Sequence, residues 1–319
     1  MMWKALVVAC FAVISAPTAS LAKYPERPIR MVVGYPPGGA ADIAARIVAD
    51  ALSKRLGQSV IVDNRAGATG IIGASAVASA KPDGYTILFD ASAFVTNQVM
   101  RDLPFNPKES FTPVSLVAVL PMVLVAAPNT PFKSLKELVE YATHNPGEAT
   151  YASSGIGSSP HIASEMLNNI AKIDIRHVPY QGGTPALTAT MAGQVSIYFG
   201  IAASASNHIK SGAVRALAVG SATRFDALPD VPTLTEAGYD GFVVQEWTAM
   251  FAPKGTPSEI VSLLSETVAV AASDPEVRAR LEGAGLQPIG SSPEKFQTFL
   301  SDQIEKTRAV VVSRNIKAN

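Results

Sequence analysis

The sequence predicts an α/β fold built as two lobes, each a mixed, mostly parallel sheet flanked by helices. Three observations predict it. Short apolar runs of strand size alternate with segments whose apolar residues recur at helical spacing. The alternation begins afresh at Pro131, after the long apolar run Val114–Ala127. A chain of 319 residues is also long enough for two domains.

In chain order, Ile29–Val33 reads as a strand, and Ile43, Ile47, Val48, Ala51, Leu52 and Leu56 mark the helix after it. Between them lies Gly34-Tyr35-Pro36-Pro37-Gly38-Gly39. Gly38 and Gly39 lack a Cβ, so backbone and ligand can approach closely there. Asp42 reads as the helix cap, and the free N–H groups of such a helix start attract anions. By itself the loop is equally a plain turn. Ser59–Val62 is the second strand, Asn64–Gly70 a Gly-rich loop, Ile71–Ala80 a helix, Pro82–Gly84 a turn and Tyr85–Phe89 the third strand. In such sheets ligands sit beyond the carboxyl ends of strands, where Gly34–Asp42 and Asp90–Ser92 both fall.

Val114–Ala127, interrupted by Pro121, reads either as two short strands or as one crossing between lobes. Ser134 and Glu137 form a capping box for the helix Leu135–Thr143. A second loop, Thr150–His161, follows a short strand and precedes the helical Ile162–Ile170. Gly155 and Gly157 let its N–H groups converge, Ser153, Ser154, Ser158 and Ser159 add hydroxyls, and Pro160 suits the first helical turn. Two anion-seeking loops suggest one small anion held between two lobes. Then follow a strand Ile173–Val178, the loop Pro179–Pro185, a helix to Met191, a strand Gln194–Phe199, a helix Ser204–Lys210 and a strand Val214–Val219. Phe242–Ala252, carrying Trp247, reads as the return crossing. Thr256-Pro257-Ser258-Glu259, Asp274-Pro275 and Ser292-Pro293 each start a helix, the last packing back on the first lobe.

Composition narrows the function. Apolar residues make up 48% and charged residues 16%, and the formal net charge is zero. A large core is available, and no basic stripe invites nucleic acid. Residues 1–22 read as an export signal: Lys4, the apolar Ala5–Ile14, and the cleavage site Ser20-Leu21-Ala22. The sole cysteine, Cys10, lies inside it, so cleavage after Ala22 leaves no thiol, unless Cys10 is a lipid anchor. No Gly-x-Ser-x-Gly elbow or zinc-type His motif accompanies the four histidines, which argues against an enzyme.

Several segments together resemble the Bug-type substrate-binding proteins of tripartite tricarboxylate transporters. They are Tyr24-Pro25…Pro28-Ile29, Pro37-Gly38-Gly39…Asp42, Asn64-Arg65…Gly67-Ala68 and Pro82-Asp83-Gly84-Tyr85-Thr86. Ser153–Ser158, His177-Val178-Pro179-Tyr180, Arg215–Val219, Pro229–Thr233 and Ala252–Pro257 continue the match over nearly all of the mature chain. Each motif alone is weak; their shared order is specific. The resemblance implies a periplasmic, two-lobed periplasmic-binding-protein (Venus flytrap) fold. Its expected layout is a signal peptide at 1–22, lobe 1 at 23–125, lobe 2 at 126–245 and a return to lobe 1 at 246–319. It implies a monomer that captures a di- or tricarboxylate, aromatic ones included, and delivers it to inner-membrane permease subunits, with no metal or cofactor. A sensory role, signalling to a sensor kinase, is the alternative.

The resemblance assigns carboxylate contacts to Gly38, Gly39 and Asp42 on one loop, and to Ser154, Gly155, Gly157 and Ser158 on the other. Tyr35, Ser92, Gly183, Thr184, Gly200 and Ser204 complete the candidate set with His161 and Trp247. Asp42 is either a cap alone or also a contact to ligand-bound water; His161 either donates to the anion or packs; Trp247 either lines the cleft or fills the core. Arg65 reads as structural. The family often has acids where this chain has Ala189, Ser196 and Gly200, from which a ligand without an ammonium group is expected.

Overall fold

The computed structural model describes residues 24–317; the expected signal peptide and Cys10 lie outside the described residues. The first half opens with β1 (Ile29–Val33), α1 (Ala40–Leu56), β2 (Val60–Asn64), a 3-10 turn at Ala68–Gly70, α2 (Ile71–Ala78), β3 (Thr86–Ala91), α3 (Ala93–Met100) and α4 (Pro107–Ser110). β4 (Phe111–Ala126) then leads into α5 (Leu135–His144), β5 (Thr150–Ser153), α6 (Ser159–Ala171), β6 (Arg176–Pro179), α7 (Gly183–Met191), β7 (Ile197–Ile201), α8 (Ala202–Lys210) and β8 (Arg215–Val219). The chain returns through β9 (Gln245–Pro253) and closes with α9 (Ser258–Ser273), α10 (Pro275–Gly283), β10 (Gln287–Pro288) and α11 (Pro293–Ser313).

β4 is the shared spine. The strand order is β2-β1-β3-β9-β4-β7-β5-β6, with β10 and β8 also pairing to β4. β1 pairs parallel with β2 and β3, and β5 pairs parallel with β6 and β7. β4 runs antiparallel to its partners: β9 along Phe111–Pro121, then β7 and β8 from Met122 or Val123 onward. So Val114–Ala127 is one continuous strand, not two. Pro121 sits where β4 passes from β9 to β7, which is where a residue without an N–H disturbs least.

Helices cover both faces of each half, which accounts for the unbroken apolar runs of the strands. In the first half, α1, α9 and α10 bury one face around Met31, Leu52, Phe89 and Leu264, and α2, α3 and α11 bury the other around Phe94, Trp247, Phe251 and Phe296. In the second, Leu138, Leu167 and Phe199 centre one core, and Ala186, Tyr198 and Ala205 the other.

The caps follow the sequence reading in part. Ser134 accepts from Glu137 N at 3.2 Å, Asp274 from Glu276 N at 3.0 Å and Ser292 from Lys295 N at 3.3 Å. Thr256 does not cap α9: its hydroxyl turns back to the Pro253 carbonyl at 2.8 Å. Nor is Asp42 the cap of α1, because that helix begins at Ala40 and Gly39 holds the cap position. Among the described residues, no helix is long and apolar enough to cross a membrane.

Candidate functional site

Between the two halves lies a cavity of about 280 Å³. The first half contributes Tyr35, Thr69 and the α3 segment from Ser92 through Thr96 and Asn97 to Arg101. The second contributes the loop Ser154–Ser159, and β9 adds Glu246. The halves touch across it. The Ser92 and Ser159 hydroxyls are 3.2 Å apart, and a Cβ on Gly157 would stand 3.1 Å from Met100 Sδ.

The second loop is held from below. Ser153 Oγ bonds His177 Nε2 at 2.6 Å and accepts from Gly155 N at 3.2 Å. His161 Nδ1 accepts the Gly157 N–H at 3.0 Å. The His161 and His177 rings stack with centroids 4.0 Å apart, and Tyr151 stacks on His177. Burial first, then the neighbouring His177, lowers the His161 pKa to about 4 against the pull of Glu165, so its ring is neutral and able to accept. His161 therefore packs and shapes the loop; it does not line the cavity. Gly155 (φ 126°) and Gly157 (φ 76°) take backbone angles that favour glycine. Ser158 Oγ donates to the Gly155 carbonyl at 2.7 Å. The backbone N–H groups of Ser154, Ile156 and Ser159, all cavity residues, have no partner among the described residues. Next to them, Pro160 has no N–H at all. The result is a cluster of unspent donors at the start of α6.

The first loop is organised differently from the sequence expectation. Asp42, 2% exposed, accepts from Gly38 N at 2.9 Å, Arg46 Nε at 3.0 Å and Asn64 Nδ2 at 2.8 Å. Burial raises its pKa, but the bonds from Arg46, Gly38 and Asn64 outweigh that and leave it lowered. The loop is thus tied back onto its own helix. Gly38 and Gly39 are exposed and do not line the cavity. Tyr35 is what the loop sends inward; its hydroxyl donates to Asp90 Oδ1 at 2.8 Å. Asp90, 2% exposed, also accepts from its neighbour's Ala91 N. Burial raises its pKa to about 7, opposed by those two donors. Behind Tyr35, Gly34 and Gly70 meet backbone to backbone: a Cβ on Gly34 would lie 2.7 Å from Gly70 Cα.

Of the sequence-predicted residues, Tyr35, Ser92, Ser154, Gly155, Gly157 and Ser158 come together around the cavity. Gly38, Gly39, Asp42 and His161 stand off it for the reasons given. Gly183 and Thr184 begin α7 outside it, with Gly183 against Tyr198 Oη. Gly200 is buried within β7, paired with Val123, and Ser204 is exposed on α8. Trp247, 1% exposed, packs edge-on against Phe296 and Phe299 and borders only a smaller cleft of about 50 Å³. Arg65 pairs with Asp63 at 3.1 Å.

The three acid-free positions lie away from the cavity. Ala189 is buried in α7, Ser196 Oγ is occupied by Thr150 N at 3.1 Å, and Gly200 is inside the sheet, so none of the three faces the cavity. The acid that does is Glu246, and the cation is Arg101; sequence reasoning missed both. Glu246 is the lone acid of the run Phe242–Ala252, a signal that was available. Arg101 had none, because no N-cap side-chain bond marks the start of α3 and its apolar residues show no marked periodicity.

Two sheet-and-helix halves joined by the shared strand β4, with an amide-lined polar cavity between them, define a solute-binding protein of the periplasmic-binding-protein fold. The family model described as "Tripartite tricarboxylate transporter family receptor" matches residues 44–316, and the chain belongs to that family, one of receptors rather than enzymes. Protein BugT of Bordetella pertussis is 37% identical over 301 residues, 93% of this chain and 92% of that one. An R. palustris protein solved with adipate is 34% identical, with a TM-score of 0.76 over 92% of this chain and 99% of that one. MatC from Rhodopseudomonas palustris, solved with bound malate, is 33% identical, with a TM-score of 0.72 over 90% of this chain and 100% of that one.

Proposed function

We propose that this receptor captures a small organic carboxylate in the cavity between its halves and, after export to the periplasm, hands it to the permease of a tripartite tricarboxylate-type transporter. The observation that carries the reading is the convergence of unspent Ser154, Ile156 and Ser159 N–H groups with Arg101 around one cavity. Arg101 is exposed and forms no ion pair among the described residues. The carboxylate faces these groups, with Tyr35, Ser92, Gly155, Gly157 and Ser158 completing the walls. Hydrogen bonds to a charged group contribute roughly 1.5–3 kcal/mol each. Three or four, less the cost of immobilising the ligand, bring binding to about −8 kcal/mol, the micromolar range. The adipate- and malate-bound relatives support this ligand class.

A thermal-shift screen of mono-, di- and tricarboxylates tests it. A specific acid raises the unfolding midpoint progressively with dose. Arg101→Gln should weaken the best acid about tenfold or more and flatten the salt dependence of its affinity. No shift from any acid, or full affinity in the variant, would contradict the reading.

A further inference from the structure

The cavity has a chemical asymmetry that a plain acid leaves unanswered. Of its lining residues, only Arg101 and Glu246 carry formal charge. Arg101 is exposed, so its guanidinium stays hydrated at the mouth. Glu246 is partly buried, the second residue of β9, where it pairs in register with Leu120. Its carboxylate lies near the Ser159 hydroxyl and has no ion pair among the described residues. The other groups nearby offer no help. The Tyr35 hydroxyl spends its proton on Asp90, Asp90 is itself an acid, and Tyr198 is a buried phenol close enough to feel the Glu246 charge. A buried carboxylate without a cation is costly, and a ligand that brings one removes the cost.

We infer that the preferred ligand is a zwitterion, an amino-carboxylate whose acid end meets Arg101 and the Ser154–Ser159 amides while its ammonium group pairs with Glu246. This rests on the reading of the cavity as a carboxylate site and narrows it. Glu246 selects: it rewards an ammonium group and repels a second carboxylate in its place. Burial, which raises the Glu246 pKa, favours the same outcome, since an ammonium group beside it restores the ionised form. The Ser92–Ser159 contact joins the two halves beside Glu246, so the ammonium would be met where the halves close.

The test is calorimetric titration with matched pairs that differ only in the amine: aspartate and succinate, glutamate and glutarate, β-alanine and propanoate. At least one amino member should bind about tenfold or more tightly than its partner, and Glu246→Gln, which keeps shape and hydrogen bonding but not charge, should erase that preference. The plain diacids, freed of the Glu246 charge, should gain affinity in the variant. If the plain acids bind as tightly as the amino members, or if Glu246→Gln keeps the preference, this inference falls while the carboxylate reading stands. If neither set binds while another acid of the thermal-shift screen does, this inference alone falls; if no acid binds at all, both fall together. Should the variant fail to fold, the wild-type comparison alone decides.

Discussion

His161 stacks on His177 and accepts the Gly157 N–H, so the loop keeps its shape only while the ring is neutral. The folded protein protonates His161 near pH 4, whereas the unfolded chain does so near the ordinary value of 6.5. Between those values the unfolded state binds more protons, so this residue's contribution is full above about pH 6.5 and is lost as pH falls towards 4. The loss is at most about 3 kcal/mol. Asp90 works in the opposite sense, since its raised pKa makes folding take up protons between about 4 and 7. Wild-type stability therefore hides both effects, and a variant separates them. Denaturant unfolding of wild type and His161→Gln across this range should show a stability difference that grows as pH rises to about 6.5 and then levels off. Parallel curves would mean that His161 is not held neutral by the loop.

At the scale of elements, α11 is the piece that joins the halves from outside. It packs against α3 and β4 in the first half and against α6 in the second. Just past its end, Arg314 bonds Glu165, which is buried on α6 and receives the Tyr151 hydroxyl at 2.6 Å. Arg314→Ala strands that acid. Because Arg314 is 31% exposed, the expected loss is about 1–3 kcal/mol, below that of a fully buried pair. Hydrogen exchange should quicken in the last turns of α11 and in α6 but not in α1; unchanged exchange in α6 would remove α11 as a brace. Legibility in the sequence was also a property of elements. Strands buried on both faces, such as Tyr85–Phe89, and helices with Asp-Pro or Ser-Pro starts, such as α10 and α11, were readable because one local rule decides each. α3 was not, since Ala93–Met100 mixes Thr, Asn and Val and is made helical by packing Phe94 and Val95 into the core. Arg101, which ends that helix, carries no local signal for the same reason. The first loop was placed correctly between β1 and α1, but Pro-Gly-Gly gave no hint that Asp42 would turn its amides back.

For the whole molecule, β4 carries both halves on one common strand, and the cavity between them sets the Tyr35 side opposite the Ser154–Ser159 loop. A ligand stabilises the closed arrangement only as far as it binds that form better than the open one. On the proposed reading, closure draws on groups from both halves: Arg101 and Tyr35 from one, the Ser154, Ile156 and Ser159 amides from the other. This dependence explains why the second loop alone, despite its unspent donors, would be a poor trap. The proposed selectivity lies at the seam, where Ser92 and Ser159 meet next to Glu246. The measurement that bears most directly on this is a crystal structure with the tightest acid found in the screen. Its carboxylate should lie within hydrogen-bond distance of Arg101 and of at least two of the Ser154, Ile156 and Ser159 N–H groups. An acid seated instead on the exposed Gly38–Gly39 turn, touching one half alone, would contradict it.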